Sequence, residues 1–165
     1  MKLGDFMAGR TPNPDHSGFS NADDMVLAVG LGSAAAEPNG YTAAVVGITE
    51  ASGALDAQTQ DANYLYTGPV SIKTGTSRTF TVSGDRCHGD EFQDTLLSHA
   101  VKYGTGQAVI KPYVYFDMLT GKGEKGEVSI AVEEDLSGAA GERASFSATL
   151  TSVGKPTEYT YVVKA

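Results

Sequence analysis

Residues 83–106, SGDRCHGDEFQDTLLSHAVKYGTG, hold the single cysteine of the chain and two of its three histidines. Cys87, His88, Asp90 and Glu91 are nearly adjacent. Thiolate, imidazole and carboxylate are what zinc takes as ligands, and a thiol beside an imidazole is a nucleophile beside a base. The spacing argues against both uses. About four ligands must converge on one metal position, and neighbouring residues of a strand or turn point in different directions. There is no second cysteine, His16 lies in a polar N-terminal stretch, and His99 falls on the third turn of a helical pattern. A Cys–His pair would also need a third group to orient the base. Asp90 has a simpler use. With Gln93 it has the spacing of a capping box, and Glu91 and Asp94 suit the positive first turn of a helix.

Other chemical signatures are weaker. GKGEKG, residues 121–126, satisfies G-x-G-x-x-G, but a dinucleotide site needs that run to open a helix. Here the following residues alternate as a strand, so the run reads as a hairpin loop. GLG, residues 30–32, lacks the third glycine and the lysine of a phosphate loop. No serine sits in a G-x-S-x-G elbow. Asp23-Asp24, Asp90-Glu91 and Glu133-Glu134-Asp135 are acid groups whose separation in space the sequence does not give, and a glycosidase pair is defined by that separation. The expectation is a non-enzymatic protein with no catalytic residue, cofactor or metal.

The formal charge of −8 disfavours binding to the outside of nucleic acid, which needs a basic footprint. A lone cysteine cannot form an internal disulfide and suits folding in a reducing cytoplasm. No apolar leader opens the chain, and no apolar run is long enough to span a membrane. The length of 165 residues suits one domain. We expect an irregular, Gly- and Pro-containing arm over 1–24 and a single β-rich domain over 25–165.

The elements that must position these residues follow from periodicity. Phe92, Leu96 and Ala100 form a helical stripe flanked by Leu97 and Val101, and Lys102 with Gly104 marks its end. One docked helix is expected over about 90–103. MVLAVG (25–30) reads as a strand, LGSAAAEPNG (31–40) as a turn region and YTAAVVGITEA (41–51) as a second strand. The polar stretch 52–68 has no clean period and reads as a long functional loop. Residues 70–84 alternate around Gly75 as a bent strand or two pieces. Residues 107–119 read as a strand and TGKGEKG as a turn. EVSIAVEE (127–134) and RASFSATLTSV (143–153) alternate cleanly, and TEYTYVVK (157–164) closes the chain. Val128, Ile130, Val132, Phe146, Ala148 and Leu150 face one way; Glu127, Ser129, Glu133, Ser145, Ser147 and Thr149 face the other. The class is mainly β: an antiparallel sandwich or barrel with one flanking helix.

The segment order resembles that of the major tail tube proteins of long-tailed bacteriophages. NADDMVLAVGLG resembles their first strand after a polar arm, and AVVGITEASGALDAQTQDANYLYTG their second strand running into a long loop. SRTFTVSGDRCHGDEFQDTLLSHAVKYGTG is similar to their central strand, acidic turn and single helix. GEVSIAVEEDLSGAAGERASFSATLTSVGKP is similar to the closing pair of strands. The resemblance covers about residues 20–160, and it departs in the long N-terminal arm and in Tyr64 and Tyr66 after the loop. It implies hexameric rings stacked into a tube that carries DNA, in the tail of a virion made in a bacterial cytoplasm. The implied partners are other copies and further tail proteins such as tape measure, baseplate or tip, and terminator. It further implies that Glu127, Ser129, Glu133, Ser145, Ser147 and Thr149 line the lumen, and that Asp56, Thr59, Asp61, Tyr64 and Tyr66 join neighbouring rings. The tubes of contractile tails and bacteriocins share these features. A different class of reading is a carbohydrate- or surface-binding β-sandwich using Tyr64, Tyr66, Tyr113 and Tyr115.

Overall fold

The computed structural model describes residues 1–31 and 40–163. Among them run β1 (Met25–Val29), β2 (Thr42–Ala43), β3 (Ile48–Tyr64), β4 (Gly68–Asp85), β5 (Ile110–Asp117), β6 (Lys122–Ser137), β7 (Ser145–Ser152) and β8 (Thr157–Thr160). The short helices are α1 (Leu3–Phe6), α2 (Glu91–Leu96) and α3 (His99–Lys102). The strands pair antiparallel in one sheet, in the order β2-β1-β5-β6-β7-β4-β3, with β8 alongside β6. The fold is mainly β, as expected. The two ends of the path, β2 and β3, do not pair with each other, so the sheet is not a closed barrel.

The sheet nevertheless curls over its own apolar face. A flat sheet would hold β4 and β5 three strand spacings apart, about 14 Å. Phe80 on β4 and Tyr113 on β5 instead have ring centroids 5.1 Å apart, and Phe80 and Tyr115 are at 4.9 Å. The enclosed core includes Leu27, Val29, Val82, Val128, Ile130, Phe146, Ala148 and Leu150, the inward members of alternating strands. Phe92, Leu96, Leu97 and Val101 pack against it from the helices.

A second core lies on the other face of β1 and β5. Val26, Ala28, Val114 and Phe116 are covered there by Leu3 and Met7 and by Tyr159 and Tyr161. MVLAV and YVYF are apolar in both phases of the alternation because both faces are buried. This second layer corrects the reading of an irregular arm over 1–24. Lys2 bridges Thr42, and Leu3 and Met7 are buried. Residues 10–21 remain irregular.

Several boundaries differ from the sequence reading. The expected loop at 52–68 is strand for nearly all its length. β3 and β4 pair from Ile48↔Gly84 to Tyr64↔Gly68, with a bulge where Gln58 pairs Gly75 and Thr59 pairs Lys73. The segment lacks apolar alternation because it has no core beneath it, and cross-strand hydrogen bonds alone define it. The expected strand 41–51 is broken at Gly47, whose φ of +70° re-aims the chain. Residues 122–126, read as a turn, belong to β6; the turn lies at 118–121 and ends on Gly121 at φ +74°. The expected helix is two helices. Leu97 ends the first, and Ser98 is extended as the N-cap of the second. That break resets the stripe, so Ala100 is exposed and Val101 takes the buried place. Most of the turn region read at 31–40 lies outside the described residues.

Candidate assembly surfaces

The Cys87 neighbourhood is a structural junction. Asp90 caps α2, its side chain accepting from Gln93 N–H at 3.3 Å. Gln93 does not return the bond as a capping box would. Its fully buried amide spans three segments: Oε1 accepts from Cys87 N–H at 2.7 Å, and Nε2 donates to the carbonyls of Val46 at 2.7 Å and Asp85 at 3.0 Å. Arg86 donates to Asp94 at 2.7 Å, and Gly89 N–H donates to the other oxygen of that carboxylate. The Arg86 bond, chiefly, holds the Asp94 carboxyl below its ordinary value. The Cys87 thiol lies against the His88 carbonyl oxygen at 3.8 Å, not its ring. Among the described residues no three His, Cys, Asp or Glu side chains converge on a metal position.

The polar sheet face is wider than the two strands that suggested it. On β7, Ser147, Thr149 and Thr151 pair with Ser83, Thr81 and Thr79 of β4. These in turn pair with Glu50, Ser52 and Ala54 of β3. On the other side Ser129 pairs with Thr151, and Ala131 with Thr149. One face of four adjacent strands is therefore rich in small hydroxyl-bearing residues, with Ala54, Ala131 and a few glutamates among them. Glu127 and Glu133 are exposed on it, whereas Ser129, Ser145, Ser147 and Thr149 are half-buried. Thr149 Oγ1 donates to Glu133 Oε1 at 2.8 Å, and Ser145 donates to the Ser137 carbonyl at 3.1 Å. Glu133 sits at a bulge, between the Val132↔Ala148 and Glu134↔Ser147 pairs. The β4 and β3 members escaped the sequence reading, although Thr79, Thr81 and Ser83 alternate with the core residues Phe80 and Val82 and carry the same signal.

The third surface is a ribbon. β7 pairs with β4 only as far as Thr79, so among the described residues β3 and β4 have only each other as strand partners from Leu55↔Arg78 outward. That free stretch is about 30 Å long at strand rise. Asp56, Thr59, Asp61, Tyr64 and Tyr66 all lie on it or at its tip, and all are exposed. The tip is apolar: Leu65 is 87% exposed and Tyr66 96%, with Tyr64 and Ile72 also exposed. Nothing in the turn requires these residues; its backbone demand is met by Gly68 at φ +77°.

Arg78 anchors the ribbon base. Its guanidinium sits 4.9 Å from the centroids of Phe80 and Tyr115, and Nε is 2.9 Å from Glu124 Oε1. That N–H is not aligned for a hydrogen bond, so the contact is an ion pair. Tyr113 Oη donates to the same Glu124 oxygen at 3.3 Å. Burial, then the Glu124 charge, pushes the Tyr113 phenol well above its ordinary value. Tyr113 is fully buried and Tyr115 packs on the core, so neither joins Tyr64 and Tyr66 in an exposed aromatic site.

No family model matches the chain, and no curated protein does. Solved structures do match in fold. A chain from the tail of an empty gene transfer agent particle, refined helically with C6 symmetry, is 15% identical with a TM-score of 0.61, covering 87% of this chain and all of that one. A chain from the virion of the native gene transfer agent particle is 15% identical with a TM-score of 0.59, over 86% of this chain and all of that one. The resemblance to tail tube proteins, read from segment order, therefore holds at the level of fold.

Proposed function

We propose that this protein is a structural subunit of a phage-like tail, whose copies form rings, six to a ring, stacked into a tube that conducts DNA. The observation that carries the reading is the free β3–β4 ribbon. A two-stranded ribbon without a packing surface is marginal in water, and an apolar tip adds a cost that only a partner offsets. The shared fold with a chain of a C6-symmetric tail supports self-association as the source of that partner.

In this arrangement the hydroxyl-rich face of β6, β7, β4 and β3 lines the bore, including Glu127, Ser129, Glu133, Ser145, Ser147 and Thr149. Small neutral and acidic groups suit a conduit, because basic groups would hold the phosphate backbone and stall it. The ribbon, with Asp56, Thr59, Asp61, Tyr64 and Tyr66, reaches the neighbouring ring. The remaining partners are the other tail proteins that start, measure and end the tube, and the protein resides in the virion. No catalytic step is assigned to any residue.

Negative-stain electron microscopy across a concentration series tests the reading. Rings or hollow tubes of uniform diameter are expected. A uniform monomer at the highest concentration, with and without sonicated tube fragments as seeds, would sink it.

A further inference from the structure

The curled sheet stops short of closing, and the gap is a shaped groove. Its volume is about 640 Å³. One wall is the base of β3, residues 49–52; the other is the start of β1 with the segment after β2. The groove thus lies where the chain runs from the end of β2 into β3, beside the start of β1. Among the described residues β3 pairs only with β4, so its second edge has no strand partner there. Phe6, Met25, Val45 and Met118 give the groove an apolar lining, and Arg10, Asp23 and Glu50 add charge.

An occupant must supply apolar side chains and extended backbone at once. The ribbon tip has both: Tyr64, Leu65, Tyr66 and Ile72 exposed on a hairpin whose outer edges are unpaired. Its two charges beyond the bulge region, Asp61 and Lys73, have opposite partners at the groove in Arg10 and in Asp23 and Glu50. The ribbon tip cannot reach the groove of its own chain. Tyr64 stands twelve strand residues beyond Ser52, about 40 Å away.

We infer that the ribbon tip of one copy inserts into the open seam of a second copy, against residues 49–52 of β3 and the apolar lining from Phe6 to Met118. Knob and hole are different surfaces of one chain, so the contact is heterologous and propagates from copy to copy. It uses strand addition along a free edge as well as apolar burial. The inference rests on the self-assembly proposed above and names the receiving surface for its ribbon.

Cross-linking with a short bis-maleimide tests it in a Cys87→Ser background. One preparation carries Tyr66→Cys, another Ser52→Cys, and they are mixed before assembly. A covalent dimer is expected in the mixture, none in either preparation alone, and none when Thr160→Cys on β8 replaces Ser52→Cys. Circular dichroism checks that each variant is folded. Assembled particles with no Tyr66–Ser52 product would overturn this contact and leave the assembly reading standing. A product between Phe19→Cys and Ser52→Cys in its place would put the N-terminal segment in the seam and equally overturn it. Particles that never form would remove both readings.

Discussion

Gln93 and Cys87 are joined by a 2.7 Å hydrogen bond from the Cys87 backbone N–H to the buried Gln93 amide oxygen. The cysteine takes part through its main chain, and the glutamine gathers three segments at once. Gln93→Leu leaves Cys87 N–H and the carbonyls of Val46 and Asp85 without this partner. Each such group costs about 1–3 kcal/mol when buried unpaired. These groups are only half-buried, so urea unfolding should show a loss of about 2 kcal/mol for Gln93→Leu, whereas Cys87→Ser should stay within about 0.5 kcal/mol of the parent. The reverse order would return the thiol to a central role.

The helix break makes a paired prediction. Leu96 is fully buried, and Ala100, four residues on, is exposed. Leu96→Asp places a charge in the core and should abolish the cooperative unfolding transition. Ala100→Asp should shift stability by no more than about 0.5 kcal/mol. An unbroken helix over 90–103 would make the two variants equally damaging, which thermal melts separate directly.

Alkaline pH probes the phenol at the ribbon base. Tyr113 is held protonated by burial and by Glu124, above the ordinary phenol value of 10.0. The unfolded chain therefore releases this proton first. Stability from this group is complete below about pH 10 and is lost as pH rises further. Tyr161 shifts the same way through burial. Unfolding free energy should fall with pH above that value, and Tyr113→Phe should flatten the fall. An unchanged slope in the variant would mean that the phenol is not sequestered.

The polar face makes an electrostatic prediction. Ser147→Lys with Thr149→Lys puts two cations on the surface proposed to line the bore. Assembled particles of this variant should retain a single-stranded DNA oligonucleotide that the parent does not, and rising salt should release it. Retention that is equal in parent and variant at low salt would place this face away from the conduit.

Much of the fold was legible because burial leaves a period in the sequence. Phe146, Ala148 and Leu150 alternate with Ser147, Thr149 and Thr151, and the structure buries one set and leaves the other on the polar face. Asp90 sits where a helix needs an acceptor, and it caps α2. The ribbon left no such period. Its residues face solvent on both sides, so nothing alternates, and only pairing with β4 made 52–64 a strand. Residues 3–7 were equally unreadable, because five residues cannot show a helical stripe, and their burial depends on a second apolar face of β1 and β5. The break at Ser98 and the exposure of Ala100 came from where α3 had to meet the core.

What the residues determined on their own is the local direction of side chains: which alternate, which cap, and which carry too little basic charge for the outside of nucleic acid. The curl that brings Phe80 to Tyr113, the groove beside the start of β1, and the free ribbon were decided by tertiary structure. Each depends on strands distant in sequence meeting across the core, and local periodicity holds no record of which strand lies beside which.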